Sequence, residues 1–153
     1  MTVVAIIRPD SINVALLVHV FGAMVLVGGL VTAATASLVG WRDQGVTLQR
    51  FSYKTLLFVA LPGWIVMRGG AQWVFSKEHL GDLPSDPTWI GIGLGTSDAG
   101  GILLLIALVV GAFGLRRARN GGSTVLLKAG GVIATVLVAV YVIAVWAMGA
   151  KPS

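Results

Sequence analysis

The chain has 153 residues, 56% of them hydrophobic and only 11% charged, with a formal charge of +5 and no cysteine. A soluble domain carries about 25% charged residues, so this composition excludes an ordinary water-facing surface. The absence of thiols excludes disulfides, thiolate metal sites, iron–sulfur clusters and covalent haem attachment within the chain.

A helix needs about 20 apolar residues to cross a bilayer, and four stretches approach that length. The first runs over 12–39 and begins with the segment LLVHVFGAMVLVGGL. Arg8, the apolar run and Ala34-Thr35-Ala36 also allow a signal-peptide reading, although the run is long for one. The second runs over 55–75, with Pro62 and Arg68 inside it. Pro62 predicts a kink or a broken hydrogen-bond ladder. Residues 76–98 read as a loop, with Pro84, Pro87 and the glycines of GIGLGTSDAGG, and as an extracytoplasmic cap that could hold a short interfacial helix. Its GxGxxG-like spacing lacks a preceding strand and so does not read as a nucleotide loop. The third span covers 99–115, short but sufficient if its Gly-rich approach continues the helix, and the fourth covers 125–148, where Gly130 and Gly131 mark close helix packing.

Basic residues set the orientation. Arg42, Arg50, Lys54, Arg116, Arg117, Arg119 and Lys128 fall on one side, against Arg8, Arg68, Lys77 and Lys151 on the other. The second side also carries five of the six acids. The expectation is an all-α four-helix transmembrane bundle, one domain, with N-out/C-out topology in the plasma (inner) membrane. Trp41, Trp73, Trp89 and Trp146 fall near span ends, where amphipathic rings favour the interface. The basic residues form no face interleaved with stacking aromatics, so nucleic acid is not an expected partner.

His19 is the residue with chemistry to offer inside a span. It shares a helix face with Gly22, Leu26, Gly29 and Ala33, spaced by three and four. Those small residues admit either a neighbouring backbone or a flat ligand. Three readings follow: a histidine hydrogen-bonded to the next helix, a ligand of haem b or another porphyrin, or a proton relay. Met67 and Met148 are the candidate second axial ligands, and His79 reads as a loop residue. Arg68, in MRGG, suits a haem propionate or a substrate carboxylate, or else snorkels to the headgroups or pairs with Asp98. Lys151 falls toward the same outer half. No Ser/His/Asp set, paired carboxylates or dense ligand cluster lies within the spans.

The segments HVFGAMVLVGG (19–29), LPGWIVMRGG (61–70) and WAMGAKPS (146–153) resemble the bacterial integral membrane proteins of domain-of-unknown-function family twenty-two sixty-nine. That resemblance implies a four-span architecture and no assigned activity. The layout is also distantly similar to the four-span protoporphyrinogen oxidase family, through His19, Lys151 and Pro152. That similarity implies haem b binding. The chain departs from that family at Leu26, where a tryptophan is expected, and at Asp98, where a lysine is expected.

The leading expectation is therefore a haem-b- or porphyrin-binding membrane protein, with His19, Gly22, Met67, Arg68 and Lys151 around the cofactor. A second is a cofactor-free accessory or scaffold subunit that packs against itself or a larger membrane complex. A third is a small transporter with Arg68 on an anion path.

Overall fold

The computed structural model describes residues 10–42, 46–78 and 88–150, and among them every regular element is helical. In chain order these are α1 (Asp10–Arg42), α2 (Val46–Thr55), a π-helical segment (Leu56–Ala60), α3 (Leu61–Lys77), α4 (Thr88–Arg119) and α5 (Val125–Ala150). Three of them, α1, α4 and α5, are long and apolar enough to cross a membrane. Most of each apolar window is not covered by the rest of the protein. Leu17, Met24, Phe58, Ile102 and Val145 all point outward, as expected for a solvent of lipid tails.

The second expected span is not one uniform helix. It is α2, the π segment and α3 in unbroken succession. Pro62 gives the reason. It has no N–H, and its ring crowds the carbonyl four residues earlier, that of Phe58. In the widened turn the Leu61 N–H donates to the Leu56 carbonyl, five residues back. Such π-bulges absorb local strain within a helix, so the run bends its ladder here without stopping.

In the third span the Gly-rich approach does continue the helix, and this corrects the loop reading of the residues before 99. The GIGLGTSDAGG segment is not loop, because α4 starts at Thr88 and runs 32 residues to Arg119. Glycine disfavours helix by about 1 kcal/mol per residue, which is why these residues read as loop. Their spacing decides otherwise: Ile90, Gly93, Ser97, Gly100, Gly101 and Leu104 are buried, three and four apart, so they form one inward face. The remaining link, 79–87, lies outside the described residues.

At the far end, α4 closes through Gly121, whose φ of +76° favours glycine. The Gly122 N–H reaches back to the Arg117 carbonyl at 2.9 Å. Ser123 Oγ accepts from the Val125 N–H at 3.2 Å and so caps α5. So short a link makes α4 and α5 antiparallel neighbours.

The core joins α1, the π segment, α3, α4 and α5 through Leu26, Leu30, Leu56, Met67, Leu104 and Leu137, with small residues between them. Buried polar groups fix α2 on α1. Gln49 Nε2 donates to the Ser37 carbonyl at 2.8 Å, Ser37 Oγ to Gln49 Oε1 at 3.1 Å, and Ser52 Oγ to the Ala33 carbonyl at 2.7 Å. Gly131 of α5 packs over the Ser37 hydroxyl, and a Cβ there would overlap it.

Candidate functional site

The His19 face is filled by α3. Four positions define the contact: His19 meets Gly70, Gly22 meets Met67, Leu26 meets Gly63, and Gly29 meets Ala60. As one number rises the other falls, so the two helices run antiparallel in fixed register. Gly22, Gly63 and Gly70 stand where a Cβ would strike the opposite backbone, and at Gly29 a Cβ would be tight against Ala60 at 3.0 Å. A Cβ on Gly63 would lie 2.6 Å from the Leu26 nitrogen, and one on Gly70 would lie 2.5 Å from that of His19. Three of the four levels set a large side chain on one helix against a glycine on the other. This is close approach through small residues, the usual substitute for hydrophobic drive between helices in lipid.

The imidazole of His19 completes the seam. Its Nδ1 lies 2.9 Å from the Met67 carbonyl oxygen. A carbonyl only accepts, so Nδ1 is the donor here, and Nε2 is the ring nitrogen that this bond leaves unused. Met67 itself is buried in the core. Gly22 makes room for α3, not for a ring.

Arg68 is also occupied. Its Nε donates to Asp98 Oδ1 at 2.9 Å, and Nη1 to Gln72 Oε1 at 3.3 Å. The pair is partly exposed, more so on the carboxylate side. It ties α3 to α4, ten residues inside α4 and not at its start. One turn of α3 earlier, Trp64 Nε1 donates to the Ser97 carbonyl at 3.0 Å. The Trp64 ring lies where a Cβ on Gly101 would be, and the Tyr141 hydroxyl of α5 lies where one on Gly100 would be. The hydroxyls of Ser97 and Tyr141 are buried without a hydrogen-bond partner among the described residues.

The structure therefore brings His19, Gly22, Met67, Arg68 and Asp98 to one end of the bundle. Lys151 and His79 lie outside the described residues, as does the Met148 side chain. Among the described residues no group of three or more His, Cys, Asp or Glu is placed to hold a metal ion. Sequence reasoning missed Ser97, Tyr141 and the bridging role of Trp64. The paired glycines at 100–101 were the available signal, since glycine side by side inside an apolar run marks two intruding side chains.

A porphyrin does not fit the face on which the sequence offered it. That face holds backbone against backbone along the seam from His19 to Gly29, and inserting a ring would mean parting α1 from α3. His19 Nε2 is the one nitrogen left to ligate from elsewhere.

No family model matches this chain, no curated protein matches it, and no solved structure matches it.

Proposed function

We propose that this protein is a four-crossing membrane bundle that serves as a cofactor-free accessory or scaffold subunit, associating with itself or with a larger membrane complex. The observation that carries the reading is that His19, Gly22 and Arg68, among the described site residues, are already used inside the chain. His19 is bonded to α3, Arg68 to α4, and Gly22 is filled by α3 backbone.

The fourth crossing is the run from α2 to α3. It lies antiparallel against α1 from Gln49 beside Ser37 to Gly70 beside His19, so it accompanies α1 through whatever α1 crosses. The span from Asp98 to Arg116 rises about 27 Å at ~1.5 Å per residue, close to the ~30 Å of a hydrocarbon core. The basic end then faces the cytoplasm and both chain ends face outward, across a plasma membrane. Outward-facing Gly91, Gly95 and Ala99 on α4 have the small-residue spacing that lets a partner helix approach.

A second reading keeps haem b, on one specific ground. A carbonyl that accepts from Nδ1 is the kind of partner that orients a ligating imidazole and leaves Nε2 to face the metal. The deciding experiment is an absorption spectrum of detergent-purified protein, oxidised and then dithionite-reduced, beside His19→Ala. The scaffold reading expects a flat visible spectrum for both, with haem supplied during expression, and co-purifying membrane partners lost in Gly95→Leu. A Soret band that disappears in His19→Ala overturns it in favour of haem.

A further inference from the structure

The seven bases at the other end of the bundle have no use in the packing just described. Arg42 lies in the last turn of α1, and Arg116, Arg117 and Arg119 in the last turn of α4. Arg50 and Lys54 lie on α2, and Lys128 in the first turn of α5. The topology gathers them. Ser37 contacts both Gln49 and Gly131, Gly114 packs on the Leu126–Leu127 backbone, and the Tyr53 ring covers Gly111.

Among the described residues this end has no acid and no ion pair; Asp43 falls in the 43–45 link, outside them. Bases at helix C-termini do offset the dipoles of α1 and α4. That role needs one or two charges, and it leaves Arg50 and Lys54 unexplained.

Those two sit on the flank of a helix that continues from α2 through the π segment into α3, so neither Arg50 nor Lys54 meets a free helix C-terminus. The other side of α2 holds the buried Gln49, Ser52 and Thr55. The outward side carries Arg50, Phe51 and Lys54, all exposed, with Phe58 beyond them. Aromatic rings and bases on one lipid-facing flank match the boundary between acyl chains and phosphates. Trp41 stands at the same boundary, with Lys128 Nζ 5.9 Å from its ring centroid. The flank bases and the helix-end bases thus belong to the same end of the bundle.

We propose that this end is a binding surface for anionic phospholipid headgroups, with Arg50 and Lys54 reaching phosphates from the α2 flank and Arg116, Arg117 and Arg119 from the end of α4. The net positive charge of these bases supplies the attraction, and the aromatic flank fixes the depth. A Lys or Arg near a membrane surface contributes about 1 kcal/mol toward anionic lipid, roughly fivefold in affinity. Removing three should weaken retention on the order of 100-fold. The proposal rests on the membrane reading above, and the experiment separates the two.

The full chain is placed in nanodiscs of phosphatidylcholine alone, or of phosphatidylcholine and phosphatidylglycerol in equal parts. It is then transferred to detergent, and retained lipids are counted by native mass spectrometry. Phosphatidylglycerol should be enriched over its bulk share. The R116Q/R117Q/R119Q variant should lose that enrichment, R50Q/K54Q should lose part of it, and the Arg→Lys triple should keep it. Failure to enter phosphatidylcholine discs overturns the membrane reading and the proposal together. Entry without enrichment overturns the proposal alone, as does enrichment unchanged in both glutamine variants. If millimolar inorganic phosphate displaces the bound phosphatidylglycerol completely, the surface is a soluble-phosphate site and the lipid assignment falls.

Discussion

Two contacts of α3 rest on opposite physics. Against α1 it packs backbone to backbone, with glycines at 22, 29, 63 and 70 and one imidazole bond. Against α4 the contact is made by long side chains, as Trp64 and Arg68 reach across to the Ser97 carbonyl and the Asp98 carboxylate. The first contact has no tolerance for added volume. The second has flexible parts and a partly exposed charge pair, so it can give. The seam should therefore behave as a rigid unit, and the α3–α4 junction as the place where the bundle yields.

The hardest test of that difference is to add volume to the seam. Gly63→Leu forces a side chain into the Leu26 backbone, and Gly22→Leu forces one into that of Met67. Overpacking of a tight core costs ~1–3 kcal/mol and sometimes more. Here the obstacle is backbone, which cannot rotate away, so we expect about 3 kcal/mol or above. Unfolding of detergent-solubilised protein, followed by helix content, should show a large drop in midpoint for either variant. A seam that accepts Leu at both positions does not exist as described.

Trp64→Phe comes next. It keeps an aromatic ring over Gly101 but removes the indole N–H that meets the Ser97 carbonyl. Interhelical hydrogen bonds in membrane proteins contribute roughly 0.6–2 kcal/mol. The expected loss is about 1 kcal/mol, well below that of the seam variants. An equal or larger loss would place the rigid contact at α3–α4 instead.

Much of this was legible in the residues. Apolar length and basic clusters pointed to the helices and to their two ends. The three-and-four spacing of His19, Gly22, Leu26 and Gly29 named the right face. What the spacing could not give was the occupant of that face, because glycine admits a backbone and a flat ligand equally. Only the register of Gly63 and Gly70 opposite it decides between them, and that register depends on where α3 begins. The sequence concealed this, since Pro62 gave no sign that a π segment would carry the helix through. The start of α4 was concealed for a related reason. Glycines at 91, 93 and 95 have poor helix propensity, while the tertiary face formed by Ile90, Gly93 and Ser97 overrides it.

The Arg68–Asp98 pair should matter less than its geometry suggests. Exposed ion pairs contribute about 0.2–1 kcal/mol, and here the carboxylate is 57% exposed. A double-mutant cycle with Arg68→Gln and Asp98→Asn, read as unfolding midpoint at low and high salt, should give a coupling in that range that shrinks with salt. A salt-independent coupling above it would mean that lipid shields the pair and that the junction is stiffer than its side chains imply.

The last test is the most discriminating, because its sign reverses between two neighbouring residues. Gly69 is adjacent to Gly70, yet a Cβ on it would meet nothing within 4 Å. Gly69→Ala therefore loses no packing and gains helix propensity, about 0.5–1 kcal/mol in water. Gly70→Ala puts the same methyl group 2.5 Å from the His19 nitrogen and should destabilise. If the seam is what holds α1 to α3, the two neighbouring variants must move the unfolding midpoint in opposite directions. Two shifts of the same sign would mean that glycine is present in MRGG for backbone freedom and not for contact, and the rigid half of the comparison would be lost.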